Sequence, residues 1–307
     1  MSLTSKTGFI AGVSVLALSG VSFAGGPAEA NDYSSFLQDA GGVSWSALVQ
    51  LGYEDDDAEI SFGKIQGTVS GSAGGWDFVV QDEFSASDTH DIEELSASTS
   101  FSGVGFKIGQ FRQNWSRTAG MGDGGHFNTG GAGHDAAFDA NSGYGEGFEL
   151  SYAGDAWRVT GSWGDVDGSD DWNNVYRGEF LASGTWGQFD DFGAATGGEQ
   201  GIMIGYSMDD ESDDTVLDVS YEADGFGVMY QVHSDDAGDN DTTFWQGSYN
   251  MSADTTLWVQ METDDDDTVD TTNFGVAHQY GAGALITVQH SDDGTDTSIG
   301  AQLQLSF

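Results

Sequence analysis

The residues Ser298-Ile299-Gly300-Ala301-Gln302-Leu303-Gln304-Leu305-Ser306-Phe307 decide how this chain is read. Ile299, Ala301, Leu303, Leu305 and Phe307 share one side, and Ser298, Gly300, Gln302, Gln304 and Ser306 the other. Successive side chains of an extended strand point to opposite faces, so this period of two is that of a strand with one apolar and one polar face. The pattern recurs upstream. Phe226, Val228, Tyr230 and Val232 alternate with Gly227, Met229, Gln231 and His233; Leu217, Val219 and Tyr221 alternate with Asp218, Ser220 and Glu222. Trp157, Val159 and Trp163 alternate with Arg158, Thr160 and Ser162, and Trp45, Ala47, Val49, Leu51 and Tyr53 open the series. Leu285, Trp258 and the stretch around Ile65 break the rule, the last being a candidate bulge.

Extended over the chain, the pattern predicts about sixteen strands. They centre near Val49, Ile65, Val79, Ala97, Ile108, Leu150, Val159, Leu181, Ile204, Val219, Met229, Gly247, Val259, Val276, Val288 and Leu303, with 187–200 the least regular region. Two kinds of connection alternate. Short ones are built from small residues, such as Ala73-Gly74-Gly75, Ser102-Gly103 and Ala223-Asp224-Gly225; longer ones are acidic, such as 54–57, 209–214, 235–241, 264–270 and 292–296. In an up-and-down sheet alternate connections lie at opposite ends, so one end carries tight turns and the other acidic loops, the arrangement of outer-membrane barrels.

Composition narrows the function. The chain has 307 residues, 7 Lys+Arg against 51 Asp+Glu, a formal charge of −44, no Cys and one Pro. Phosphate-backbone binding needs a basic surface, so nucleic acid is excluded as a partner. Without Cys there is neither a disulfide framework nor a thiolate metal site. The aromatic content of 12% argues against a solvated, disordered chain. Lys6 followed by an apolar run over 9–18 and the small-residue sites Ser22-Phe23-Ala24 and Ala28-Glu29-Ala30 predicts a signal peptide over 1–30, cleaved after 24 or 30. The run is short of the ~20 residues a spanning helix needs. Cleavage after Ala30 leaves six basic and fifty acidic residues in one predicted domain, 31–307.

A soluble sheet hides its apolar face inside, whereas a membrane barrel turns it to lipid and leaves the lumen polar. Export and the strand number favour the second. Closure also removes the unpaired edges that lipid does not tolerate. Trp45, Tyr53, Trp76, Trp157, Trp163, Trp186 and Tyr280 lie near strand ends and suit interfacial girdles.

The terminal Leu303-x-Leu305-x-Phe307 resembles the C-terminal assembly signal of Gram-negative outer-membrane barrels, and the layout resembles the sixteen-stranded general porins. The resemblance implies an all-β transmembrane antiparallel barrel and an outer-membrane location. It also implies passive diffusion of small hydrophilic solutes, recognition by the barrel-assembly machinery, lipid and lipopolysaccharide as surroundings, and a homotrimer. It implies no catalysis. In that family the third outer loop folds into the channel; here the longest connection, 113–145, takes that place.

After residue 30 the only basic residues are Lys64, Lys107, Arg112, Arg117, Arg158 and Arg177. Alternation turns Lys107, Arg158 and Arg177 to the lumen. Arg112 and Arg117 fall where the fifth strand becomes the long loop, which also carries Asp123, Asp135 and Asp139. General porins set basic wall residues against acids of this loop. The expected constriction is therefore Lys107, Arg158 and Arg177 facing Asp123, Asp135 and Asp139, with Arg112 and Arg117 at its edge. Arg112 has outward parity, which requires a bulge or a position above the membrane.

Other motifs weigh less. Gly130 to Phe138 matches one calcium-binding β-helix nonapeptide, a fold that needs tandem copies. Asp55-Asp56-Asp57 and 264–267 lack EF-hand spacing, so weak binding of calcium or other cations is expected, with no cofactor. His126 and His134 share a loop with Asp135 and Asp139 without a metal-site signature. The acidity suits a halophilic or marine host and predicts cation preference at the pore mouth. A solute-specific channel, for sugars or an organic solute, would need an aromatic ladder, for which Trp258 is one candidate. A plugged adhesive barrel and a secreted calcium-binding β protein are the readings from other classes.

Overall fold

The computed structural model describes residues 43–54, 59–85, 90–121, 144–165, 172–190, 198–210, 212–234, 241–264, 271–281 and 283–307. The strands are β1 (Val43–Glu54), β2 (Glu59–Ala73), β3 (Trp76–Ser85), β4 (His90–Phe101), β5 (Val104–Arg112), β6 (Tyr144–Ala153), β7 (Trp157–Asp165) and β8 (Trp172–Ser183). They continue as β9 (Gly201–Asp209), β10 (Thr215–Ala223), β11 (Phe226–Ser234), β12 (Thr242–Ser252), β13 (Thr255–Asp264), β14 (Thr271–Tyr280), β15 (Ala284–Asp292) and β16 (Thr297–Ser306). Each pairs antiparallel with its sequence neighbours, and β1 pairs with β16 to close the ring. All sixteen strand centres read from the sequence fall inside these strands. Closure runs from Leu48↔Ser306 to Glu54↔Gly300 and extends to Ala47 and Phe307, whose N–H and C=O groups bond reciprocally.

The irregularity at Ile65 is a bulge. Gln50 pairs with Lys64 and Leu51 with Phe62, leaving Gly63 as the extra residue. It fixes the parity of Lys64, which shares the inward face with Gln50 and pairs with Glu83 at 2.8 Å.

The two faces are inverted relative to a soluble sheet. Leu150, Val159, Ile204, Leu217, Val259, Val276, Ile286, Val288 and Ile299 point outward and are exposed. Inward positions carry Gln50, Ser207, Asp218, Ser220, Gln231, Gln246, Gln260, Gln302 and Gln304, with Gln50 donating to Gln304 and Gln260 to Gln246. An exposed apolar belt running around a closed ring is far larger than the patches soluble monomers tolerate. Trp45 and Tyr280, at 71% and 74% exposure, stand in this belt near the end with the tight turns. Trp157 stacks on Tyr152 at that end, and Trp163 stacks on Phe148 towards the other. Trp186 does not belong to a girdle. It lies in the β8–β9 connection, packed against Leu181, Phe189 and Met203 on the inner side of the wall. Its position between two strand ends mimics a girdle residue in sequence.

Candidate functional site: a cavity in the lumen

The connection after β5 leaves the wall at Gln113 and turns inward. Ser116 caps the one-turn helix α1 (Arg117–Gly120), its side chain accepting from the Ala119 N–H at 3.0 Å. Trp115, fully buried, and Ala119 join Val175 of β8, Val216 of β10, Met229 of β11, Phe244 of β12, Trp258 of β13 and Ala277 of β14. Leu285 packs against the same cluster. Thr118 and Gln231 bond reciprocally: the Thr118 N–H donates to Oε1 at 3.3 Å, and Nε2 donates to Oγ1 at 3.0 Å. Arg117 donates to Ser220 and pairs with Glu222 at 3.2 Å. Residues 113–121 are therefore docked across the lumen, from the end of β5 to the inner faces of β10–β14.

The two parity violations, Trp258 and Leu285, are explained by this dock. Their apolar side chains face inward because the segment covers them. Trp258 is 3% exposed under Trp115 and Ala119, so it offers no face to a passing sugar.

The docked segment leaves a cavity of about 590 Å³ beside it, lined from β2–β9 and by two connections. Lys107, Arg112, Arg117 and Arg158 line it, and so do Glu94, Glu149, Glu179 and Asp190. Among the described residues four cations meet four carboxylates, so the cavity lining is formally neutral in a chain of −44. Lys107 pairs with Glu94 at 2.8 Å, and Arg158 with Glu179. Arg112 donates to the Ala119 carbonyl at 3.3 Å and lies over the Tyr144 ring. Its side chain reaches the cavity despite outward parity by simple counting. Gly109, at φ +125°, breaks the regular pleat three residues earlier.

Arg177 is placed differently from the other cations. Its side chain, 1% exposed, lies in the wall, 2.7 Å from Asp218 and 3.1 Å from Glu179. It spans from β8 over β9 to β10. Gly205 of β9 makes this crossing feasible: a Cβ there would collide with an Arg177 nitrogen and stand 2.5 Å from an Asp218 oxygen.

Asp123, Asp135, Asp139, His126, His134, the nonapeptide 130–138, the acidic runs 55–57 and 265–267, and the signal region 1–30 lie outside the described residues. Among the described residues the strand acids do not oppose the cations across the lumen but stand beside them in the same wall, Glu94 and Glu149 next to Lys107 and Glu179 next to Arg158, while Asp190 comes from the β8–β9 connection. Glu94, Glu149 and Glu179 were legible as inward carboxylates by alternation; Asp190 and Trp115 carried no pattern that alternation detects. Leu303 and Leu305 point outward, while Phe307 is bonded to Ala47 at the closing seam.

Solved structures with this architecture exist at low sequence similarity. A double mutant of the Rhodopseudomonas blastica porin superposes with a TM-score of 0.63 at 15% identity, covering 87% of this chain and all of that one. The fold is shared with a bacterial porin. A second double mutant of the same porin gives 0.62 at 16% identity with the same coverage. A loop L8 deletion mutant of OmpT, an outer-membrane protein of Vibrio cholerae, gives 0.55 at 14% identity, covering 88% of this chain and all of that one. No protein-family model and no curated protein sequence matches the chain.

Proposed function

We propose that this chain is an outer-membrane porin that lets ions and small hydrophilic solutes diffuse passively. The observation that carries the reading is the inverted closed barrel: an apolar belt outside, a polar lumen inside and a charged cavity beside an inward-docked segment. No bond is made or broken in this mechanism. Passage is limited by the width left by 113–121 and by the field of Lys107, Arg112, Arg117 and Arg158 against Glu94, Glu149, Glu179 and Asp190. Asp123, Asp135 and Asp139 would add to the acidic side from the remainder of the same connection.

The proposed selectivity is for cations. With the described cavity neutral, preference arises from the acidic connections at one end of the barrel, which concentrate counter-ions at the mouth. Those carboxylates also suit weak calcium binding and divalent bridging to lipopolysaccharide. The outward belt suits lipid and, through part of its circumference, association into a trimer. The charge suits a high-salt habitat.

The test is the reversal potential of the purified barrel in a planar bilayer under a KCl gradient. Discrete conductance steps with cation selectivity are expected. The selectivity should weaken as salt rises from 0.1 M to 1 M, where the screening length falls from ~10 Å to ~3 Å. Folded barrels that never conduct would overturn the porin reading in favour of a plugged surface barrel. Anion-selective steps would keep the pore and place control at the basic wall.

A further inference from the structure

At the end of the barrel that carries the tight turns, one connection is out of scale. The others are two or three residues long, such as 74–75, 102–103, 224–225 and 281–283. The one between β8 and β9 runs from 184 to 200. Its described part turns up into the lumen. Trp186–Phe189 forms a single 3₁₀ turn, and Phe189, 4% exposed, packs on Leu181 and Met203 of the inner wall. Gln188 ties the two arms together: its Oε1 accepts from the Thr185 N–H at 3.4 Å and its Nε2 donates to the Glu199 carbonyl at 2.6 Å. Farther along, the Gly198 carbonyl accepts from the Asp224 N–H of the β10–β11 turn at 3.2 Å.

The flanking glycines are cut to fit this turn. A Cβ on Gly184 would collide with the Gln188 Oε1, and one on Gly201 would stand 2.6 Å from the same atom and 2.9 Å from the Phe189 ring. The turn meets the pore cations directly. The Arg117 guanidinium lies over the Phe189 ring at 5.2 Å, and that of Arg158 over the Trp186 ring at 4.3 Å. Phe189 and Asp190 line the same cavity as Lys107 and Arg112.

We propose that Trp186, Phe189 and Asp190 form an inner lip of the pore, a second constriction element opposed to the segment docked from the other end. The lip holds Arg158 against the wall and packs on the guanidinium of Arg117 at the start of α1, and it supplies one of the four carboxylates that balance the cavity. This assignment rests on the porin reading. It implies that width is set from both ends of the barrel, and that the paired arginines are fixed posts rather than mobile brushes. A small solute then passes a wall on which cations and carboxylates alternate from strand to strand, beside a lip built on two aromatic rings.

The experiment compares wild type, the W186A/F189A variant and Asp190→Asn in bilayers under one KCl gradient. Folding of each is checked by heat-modifiable migration in gels. The aromatic pair lies outside the strands, so the barrel should close without it. Its loss should raise single-channel conductance by about half and increase open-channel noise, because pore width and lining charge govern conduction. Asp190→Asn should leave conductance near wild type and move the reversal potential towards anions. If wild type conducts and both folded variants match it in conductance and reversal potential, the lip is overturned and the porin reading stands. If folded wild type does not conduct, the porin reading fails and the lip falls with it. Should the aromatic variant fail to fold, the Asp190→Asn shift decides alone.

Discussion

Replacing Trp115 by Ala should release the segment 113–121 from the lumen without opening the barrel. Trp115 is fully buried between the segment and the inner faces of β8 and β10–β14. Burying an aromatic side chain of this class removes ~150–250 Å² from water. At ~25 cal/mol/Å² that is about 4–6 kcal/mol, close to the ~3–5 kcal/mol seen when buried aromatics are truncated. The strands that form the dock are paired with one another independently of Trp115, so the loss falls on docking rather than on closure. About 4 kcal/mol shifts the docked-to-released ratio by roughly a thousandfold. The Arg117–Glu222 and Thr118–Gln231 contacts persist and lower the observed effect. Trypsin provides the readout because the chain offers so few cleavage sites. Lys64, Lys107, Arg112, Arg158 and Arg177 are in strands, and Arg117 alone lies on the docked segment. Cleavage of a transiently opened site tracks its open population when closing is fast. Cleavage after Arg117 should therefore be at least about a hundredfold faster in W115A than in wild type, seen as two fragments on denaturing gels of an otherwise intact barrel. Equal resistance of the two proteins at Arg117 would refute the assignment of Trp115 as the anchor.

Arg177→Met should destabilise the barrel by about 3–5 kcal/mol in denaturant titrations, because it strands the buried Asp218 carboxylate, while Glu179 keeps its pair with Arg158. Adding Asp218→Asn to that variant should recover part of the loss. Gly205→Ala should cost about 1–3 kcal/mol in the same assay, since its Cβ would enter the space of the Arg177–Asp218 pair. In the β15–β16 connection, Asp293 accepts from the Thr295 and Asp296 N–H groups and from the Thr295 hydroxyl, and its carboxyl is held down at about 2. Its folded value lies below the ordinary carboxylate value. The turn therefore keeps this contribution at any pH above the ordinary range and loses it as pH falls through about 2. A carboxyl NMR titration giving an ordinary pKa would show that these bonds are not populated.

The barrel was legible because its signal is repetitive. Sixteen alternating segments each state the same two-faced environment, and Ile299 to Phe307 state it without exception. The departures were legible too, as exceptions whose meaning required a partner. Trp258 and Leu285 broke parity because they face a segment more than a hundred residues away in sequence. Gly63 shifted the count around Ile65 by one, which left Lys64 undecided until its pairing with Gln50 was known. Arg158 and Arg177 carry the same inward parity, yet one lines the cavity and the other is sealed in the wall. Alternation gives the face of a residue. It does not give the space left beside a glycine on the adjacent strand, and Gly205 of β9 is what lets Arg177 reach Asp218. The turn 186–189 escaped for a related reason: four residues have no period, and their partners Leu181, Met203, Arg117 and Arg158 are brought together only by the wall.

The cavity is lined from β2–β9 and, among the described residues, by none from β10–β16. The interior of those later strands is partly taken up with gripping Trp115, Arg117 and Thr118. Labour is thus divided around the circumference. Under the proposed function, substitutions on one arc are felt by solutes and those on the opposite arc by the polypeptide they restrain. Transport preference, as proposed here, and mechanical integrity can therefore drift, or be engineered, along separate stretches of the same ring.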